Sequence, residues 1–442
     1  MDTGSTVEDI LADDVVLRSS QGGRVLVGSK FGGKANVNGV MLVGPTNPYD
    51  ADIFLTSLDA AGTGTWAVAF NGNGSNTPRA LAVAGDGRLF LGGSFGETRS
   101  FGVEEGQGHL QVGSQMLTGQ QSGYQSTFNA TAFAAKLDAK GVASWARGFP
   151  ENYGEEARGV GIDGTGSFLV AVNRTCLSSM QFIDGSVDDP LFVTKLASDG
   201  TTAWEKHPSG VGCPRLRDLV VDGSNASVIV GQLPNNGVSV SFGGATLDGA
   251  GAFIVKLDAN GNHAWSRPLP LVTVTRAAID PSNNIFVVGS FKGTLSLGPA
   301  PITAAHPGGD PVVISFDPSG AVRYAVDLGS GGIVQHVVAV TDGSLLIDGD
   351  LVPAGDIKLV GGTDLTVPSG AAFLARVDPA GVATWGMNIA CASALGVALA
   401  DDGSVFLATG MMPKEIDASS VDFGGGVKLG PKNLLSVTRF VP

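Results

Sequence analysis

The sequence predicts an all-β chain, one domain over residues 1–442, built from seven repeats of four short antiparallel strands. Two recurring phrases and the glycine content carry that prediction. The first phrase is "FIVKLDANGNHAW" (253–265), with near copies "FAAKLDAKGVASW" from Phe133, "FVTKLASDGTTAW" from Phe192 and "FLARVDPAGVATW" from Phe373, and looser ones from Ile53 and Val312. The second is seen in "ALAVAGDGRLFLGGSF" from Ala80, "AAIDPSNNIFVVGSF" from Ala277 and "GVALADDGSVFLATG" from Gly396; four weaker versions bring the count to seven. Glycine, at 66 residues, is about twice as frequent as usual and falls where short strands need turns.

In the first phrase Phe253, Val255 and Leu257 alternate with Ile254, Lys256 and Asp258, the two-residue period of a strand. Asp258-Ala259-Asn260-Gly261 then matches a type I turn, and Pro318 and Pro379 take the second position of the equivalent turns, where a fixed φ fits. Each turn offers one carboxylate rather than the alternating Asp and Asn ligands of a calcium loop, so the aspartates read as turn formers. The second phrase is a small-residue strand, a Gly, Asp or Asn turn and another apolar strand, a hairpin pattern. Paired phrases make four strands per unit, repeating at about 60 residues over most of the chain.

Four short strands at a fixed period, with no helical pattern between them, mark a propeller blade. The phrases resemble the bacterial seven-bladed beta-propeller repeat family, whose units carry a "DxxGN-apolar-xxG" hairpin and an "AFVAKLDxxGxxxW" hairpin. The resemblance spans the whole chain and implies a fold, not an activity. The seventh unit ends at "NLLSVTRFVP" without its Trp strand, so residues 2 to 10 are expected to supply the outer strand of the last blade and close the ring. Trp66, Trp145, Trp204, Trp265 and Trp385 occupy one repeat position, with Tyr324 taking it in the fifth unit. The repeat therefore assigns them to blade-to-blade packing, which leaves no tryptophan for a sugar platform.

Composition excludes several functions. The chain is 43% hydrophobic and 15% charged, enough apolar material for a large core. A net charge of −14 argues against nucleic acid and an anionic membrane surface as partners. No run of about 20 apolar residues is present to span a bilayer, and the start "MDTGSTVEDI" lacks a signal-peptide core.

The connections on the face opposite the hairpin turns are long and varied, above all the insertion at 96–130 in the second repeat; such loops carry function on rigid scaffolds, and tolerated insertion is the alternative reading. Aligning the first strands of the units places Arg79, Arg158, Arg217, Thr275 followed by Arg276, and His336 at one level, with Asp13 in the first unit and Leu395 in the last. These strands begin at the mouth of a central channel, where a partly basic ring would suit a carboxylate, phosphate or acidic sugar; solvated or locally paired arginines are the structural alternative. Five scattered histidines show no metal-ligand spacing, no nucleophile elbow appears, and neither metal nor cofactor is implied. A lyase-like site from His336, Tyr153 and Arg158 is the enzymatic alternative.

Cys176 and Cys213 belong to neighbouring connections on the loop face, where a disulfide between them and three buried free thiols are the two readings; Cys391 lies too far round the ring to pair with either. Acidic composition, few lysines and the resemblance together suggest a secreted or surface-attached bacterial protein whose leader or lipid-anchor Cys was trimmed, with a cytosolic protein as the alternative. The expected function is a non-catalytic scaffold that presents its loop face and channel mouth to a protein, glycan or small anion. A lyase-like or hydrolytic enzyme and a purely structural surface protein are the alternatives.

Overall fold

The structure, a computed structural model, describes residues 10–20, 23–37, 39–46, 50–97, 108–119, 130–150, 155–174, 191–234, 237–329, 331–351, 355–358, 364–367, 371–389, 392–411, 420–422, 427–429 and 435–440. Every regular element among them is a β-strand. The first sheet runs, in spatial order, Ile10–Ser20, Arg24–Phe31, Asp52–Leu58 and Gly64–Phe70, all neighbours antiparallel. Five further four-stranded sheets repeat that order, with first strands Ser75–Val83, Glu155–Ile162, Arg215–Val221, Val272–Ile279 and Ile333–Ala339. The last sheet has three described strands, Ala392–Leu399, Val405–Met411 and Leu435–Phe440.

Apolar side chains leave both faces of these strands, and each face packs against the next sheet. One cluster joins Leu26 and Leu55 of the first sheet to Leu91 and Phe133 of the second, and the succession continues sheet by sheet to Leu374 and Val397. A further cluster packs Leu17, Val27 and Phe54 of the first sheet on Ala398, Phe406 and Ala408 of the last. Strands buried on both faces explain why the repeats read as near-continuous apolar runs.

The repeated phrase answers to a clasp between sheets. Trp204 Nε1 and Lys195 Nζ both donate to the carbonyl of Ala259, at 3.1 and 3.2 Å, in the turn of the next sheet. Trp145 and Lys136 hold Ser198 in the same way, and Trp265 and Lys256 hold Pro318. Trp66 reaches Ala139 without a lysine, because Ser57 stands in its place. The turn itself is an Asx turn: Asp258 Oδ1 accepts from the amides of Asn260 and Asn262. Gly261 closes it at φ 80°, and the indole of Trp204 lies so near that a Cβ there would come within 2.9 Å of the ring. Only glycine meets both demands.

Three expectations need correction. Ile10, placed by the sequence on the last sheet, pairs with Phe31 in the first, so the first strand starts five residues before Val15; residues 2 to 9 lie outside the described residues. Trp385 is 44% exposed and belongs to none of the apolar clusters of the described residues, unlike the tryptophans of the earlier sheets. Most connections between second and third strands are regular ribbons: Lys34–Val37 with Val40–Val43, His109–Val112 with Gln115–Thr118, and counterparts in the last four sheets. Leu42, Leu110 and Val112 are buried, so these ribbons extend the core over the outer strands. Within the 96–130 insertion, the described part is the ribbon and its flanks.

Several buried acids shape the pH response, Asp52 among them. Asp52 is 2% exposed and accepts from Gly72 N at 2.9 Å and Asn76 Nδ2 at 3.2 Å, fastening the third strand of the first sheet to the start of the second. Burial outweighs these bonds and raises its pKa to about 6; burial raises Asp350 too. An acid raised on folding stabilises below its unfolded pKa, and that contribution is lost as pH rises through the folded one. Asp163 and Asp222 are held low by hydrogen bonds, chiefly from Lys195 and Lys256, against the opposing effect of burial, and act in the reverse sense near pH 4. The unfolding midpoint is therefore expected to rise from pH 7 to pH 5 and fall below pH 4. Asp52→Asn should flatten the upper limb in a differential-scanning pH series; an unchanged slope would exclude Asp52 as its source.

Candidate functional site

The first strands of all the sheets share one irregularity. Their ladders shift register between Leu11 and Val16, Pro78 and Ala80, Ala157 and Gly159, Leu216 and Asp218, Val274 and Arg276, Val334 and His336, and Ala394 and Gly396. A bulge releases a residue from pairing and re-aims its side chain. The released residues include Arg79, Arg158, Arg217, Thr275 and Leu395. His336 departs from the expected alignment by one place: Gln335 is the bulged residue, and His336 sits level with Arg276 and Asp218.

A cavity of about 30 Å³ opens where these bulges converge, lined from every sheet: Val15 to Arg18, Arg79 and Ala80, Arg158, Asp218, Arg276 and Ala277, His336 and Val337, and Leu395 to Val397. Neighbouring strands are pinned there. Asn173 exchanges two hydrogen bonds with the backbone of Leu216, Gln232 does so with Val272 and Val274, and Asp350 accepts from Ala394 N at 3.0 Å. The side chains around the axis thus hang from a stapled frame.

The cations around the cavity are of two kinds. Glu156 neutralises two of them, accepting from Arg79 Nη2 at 3.0 Å and Arg158 Nη2 at 2.5 Å. Arg18, Arg217 and Arg276 make no ion pair among the described residues. Arg18 and Arg276 each bond a neighbouring main-chain carbonyl, Leu17 O and Thr275 O, and Arg217 Nε is buried without a partner. Burial followed by repulsion from Arg158, Arg215 and Arg276 pulls the Arg217 pKa down; burial does the same to Arg18, against the attraction of Asp218. Asp218 is itself occupied by the amides of Leu219 and Ala277. Five guanidinium groups gather there with four carboxylates, Glu156, Asp218, Asp348 and Asp350.

Of the residues placed in the ring by sequence, Arg79, Arg158, Arg276 and His336 line the cavity, while Arg217 lies beside it within their field. The side chain of Asp13 and all of Tyr153 lie outside the described residues. Sequence reasoning missed Arg18, Glu156 and Asp348. Arg18 and Asp348 carried a legible signal, a charge in a repeat column otherwise filled by apolar or small residues. Cys213 is disulfide-bonded, and Cys176 and Cys391 both lie outside the described residues. The described residues contain no cluster of side chains fit to hold a metal ion.

Consecutive antiparallel sheets packed face on face, with their first strands meeting at one axial cavity, define a β-propeller protein with its candidate site on the axis. No family model matches the chain, and no curated protein matches it. Among solved structures it is similar to a streptogramin B lyase, at 11% identity and TM-score 0.49 over 99% of this chain and 97% of that one. It is similar also to the Dos1 propeller (9%, TM-score 0.47, 98% and 93%) and to the propeller domain of the Trilobed protease from Pyrococcus furiosus (8%, TM-score 0.42, 96% and 96%).

Proposed function

We propose that the protein is a seven-bladed propeller whose axial cavity binds a small anion, phosphate or carboxylate in kind. The observation that carries this reading is the set of three unpaired arginines, Arg18, Arg217 and Arg276, gathered at one point of a chain with net charge −14. Like charges held together by a rigid frame are relieved by an anion, through charge-assisted hydrogen bonds. The packing of the last sheet on the first supports a closed ring. The Cys213 disulfide supports a location outside a reducing cytosol, secreted or at a bacterial surface, and Cys176 is read as its partner.

The test is a titration at low ionic strength with phosphate and, separately, acetate, followed by unfolding midpoint and calorimetry. A bound anion stabilises by about 2.7 kcal/mol at a hundred times its Kd, and the effect follows a binding curve. Wild type should show that saturable gain. The Arg217→Ala, Arg276→Ala double variant should fold, with unchanged far-UV spectrum, and lose it. A gain that never saturates, or persists in the double variant, would overturn the reading.

A further inference from the structure

Anion binding leaves one pair at the cavity without a purpose. His336 and Asp348 face each other across the first two strands of the sixth sheet, with Nδ1 at 2.8 Å from Oδ1. In the other sheets the place of Asp348 holds Gly28, Gly92, Ala171, Val230, Val288 and Ala408. Packing therefore asks for a small or apolar residue there, yet the sixth sheet buries a carboxylate at 0% exposure and leaves its Oδ2 without a partner. Such burial is costly and contributes nothing to closing the sheets, which pack without it elsewhere.

What the carboxylate does supply is chemical. In the tautomer in which Asp348 Oδ1 accepts, the shared proton sits on Nδ1 and the imidazole lone pair is on Nε2. That nitrogen has no hydrogen-bond partner among the described residues, and His336 lines the cavity together with Arg18 and Arg276. The groups facing this corner are Asp348 and Asp350 on the adjacent strand, Arg276 on the neighbouring sheet, and Arg18 and Asp218 from other sheets.

We propose that the axial cavity is a reactive site, in which His336, oriented by Asp348, acts through Nε2 at the carbon adjacent to the carboxylate of a small acid held by Arg18 and Arg276. The proposal rests on the anion reading above. Nε2 takes the proton from that carbon, and the C–H electron pair passes into the carboxylate as an enediolate whose charge the two guanidinium groups meet. The imidazolium so formed returns a proton to the same carbon, so the reaction needs no oxidant or second reactant. Substrates of this class are small acids whose adjacent carbon exchanges its hydrogen with solvent. Asp348 is a positioning residue in this scheme, holding the tautomer and stabilising the imidazolium.

Iodoacetate tests the geometry directly. Its carboxylate should seat on the arginines and present its carbon to Nε2; the C–N bond forms, the C–I bond breaks, iodide leaves, and the imidazolium keeps its Nδ1 proton toward Asp348. Peptide mapping of the intact protein should find His336 carboxymethylated about tenfold or more faster than His207 or His263, and faster than uncharged iodoacetamide modifies it by a similar factor. Phosphate should protect it. Arg276→Ala should erase the preference for acid over amide, and Asp348→Asn should slow the reaction while Asp348→Glu restores part of it. If His336 stays unmodified while phosphate still binds, this inference falls and the anion reading stands. Equal rates with acid and amide would overturn both.

Discussion

Phe168→Ala is expected to lower the unfolding free energy by about 3–5 kcal/mol, the largest stability loss foreseen for a single side chain. Phe168 is 1% exposed in the third sheet and stacks on Phe90 of the second, with ring centroids 4.1 Å apart and planes 15° from parallel. Trp145 sets its edge against both rings, at 5.6 Å from each. Lys136, whose ammonium holds the Ser198 carbonyl, also lies 5.5 Å from the Phe168 centroid. Removing the ring thus opens a cavity and strips the clasp of its floor, where two phenylalanine rings meet the Trp145–Lys136 pair. Urea unfolding should show the loss as a lower midpoint. Trp385→Ala is the control, since an indole 44% exposed has little to lose, about 1 kcal/mol or less. Equal losses from the two variants would mean that the interface rings do not carry the packing assigned to them.

Glu156→Gln should have the largest effect on ligand affinity. One carboxylate holds Arg79 at 3.0 Å and Arg158 at 2.5 Å, with 24% of the Glu156 side chain exposed. Glutamine keeps the shape and removes the charge, which leaves five guanidinium groups facing three carboxylates. Breaking such a part-buried pair costs about 2–4 kcal/mol in the empty protein. The same change makes an incoming anion the remaining offset, so phosphate affinity should rise about tenfold or more, and stability should become strongly dependent on phosphate. The variant is then less stable than wild type without anion and recovers with it. Affinity that falls or stays constant would show that Glu156 belongs to the binding surface instead of competing with the ligand.

The arrangement of strands was open to sequence reading because it is written many times over. A single "FIVKLDANGNHAW" is ambiguous, but repeated copies at constant spacing average out local accidents, and every observed turn keeps its Asp or Gly for a reason visible in one unit. The tryptophan column was legible on the same ground. Its lysine partner was not, since a lysine in a strand looks like a solvated side chain until the carbonyl it holds on the next sheet is known.

The basic ring was half legible. Alignment by repeat found Arg79, Arg158, Arg217, Arg276 and His336, because residues in one column of a repeat converge on one axis. It misjudged His336 by one position, since a bulge inserts a residue without changing any pattern of apolar and polar side chains. Which arginines are neutralised was beyond it. Glu156 lies two residues from Arg158 in sequence, yet it also takes Arg79, a residue 77 positions away, and only the packing of one sheet on the next makes that contact. By itself the sequence determined the strands, the turns, the period and the column that faces the axis, all of which follow from local geometry multiplied by repetition. The tertiary structure alone decided the charge balance of the cavity and the pairing of His336 with Asp348, because both depend on distances between strands far apart in the chain.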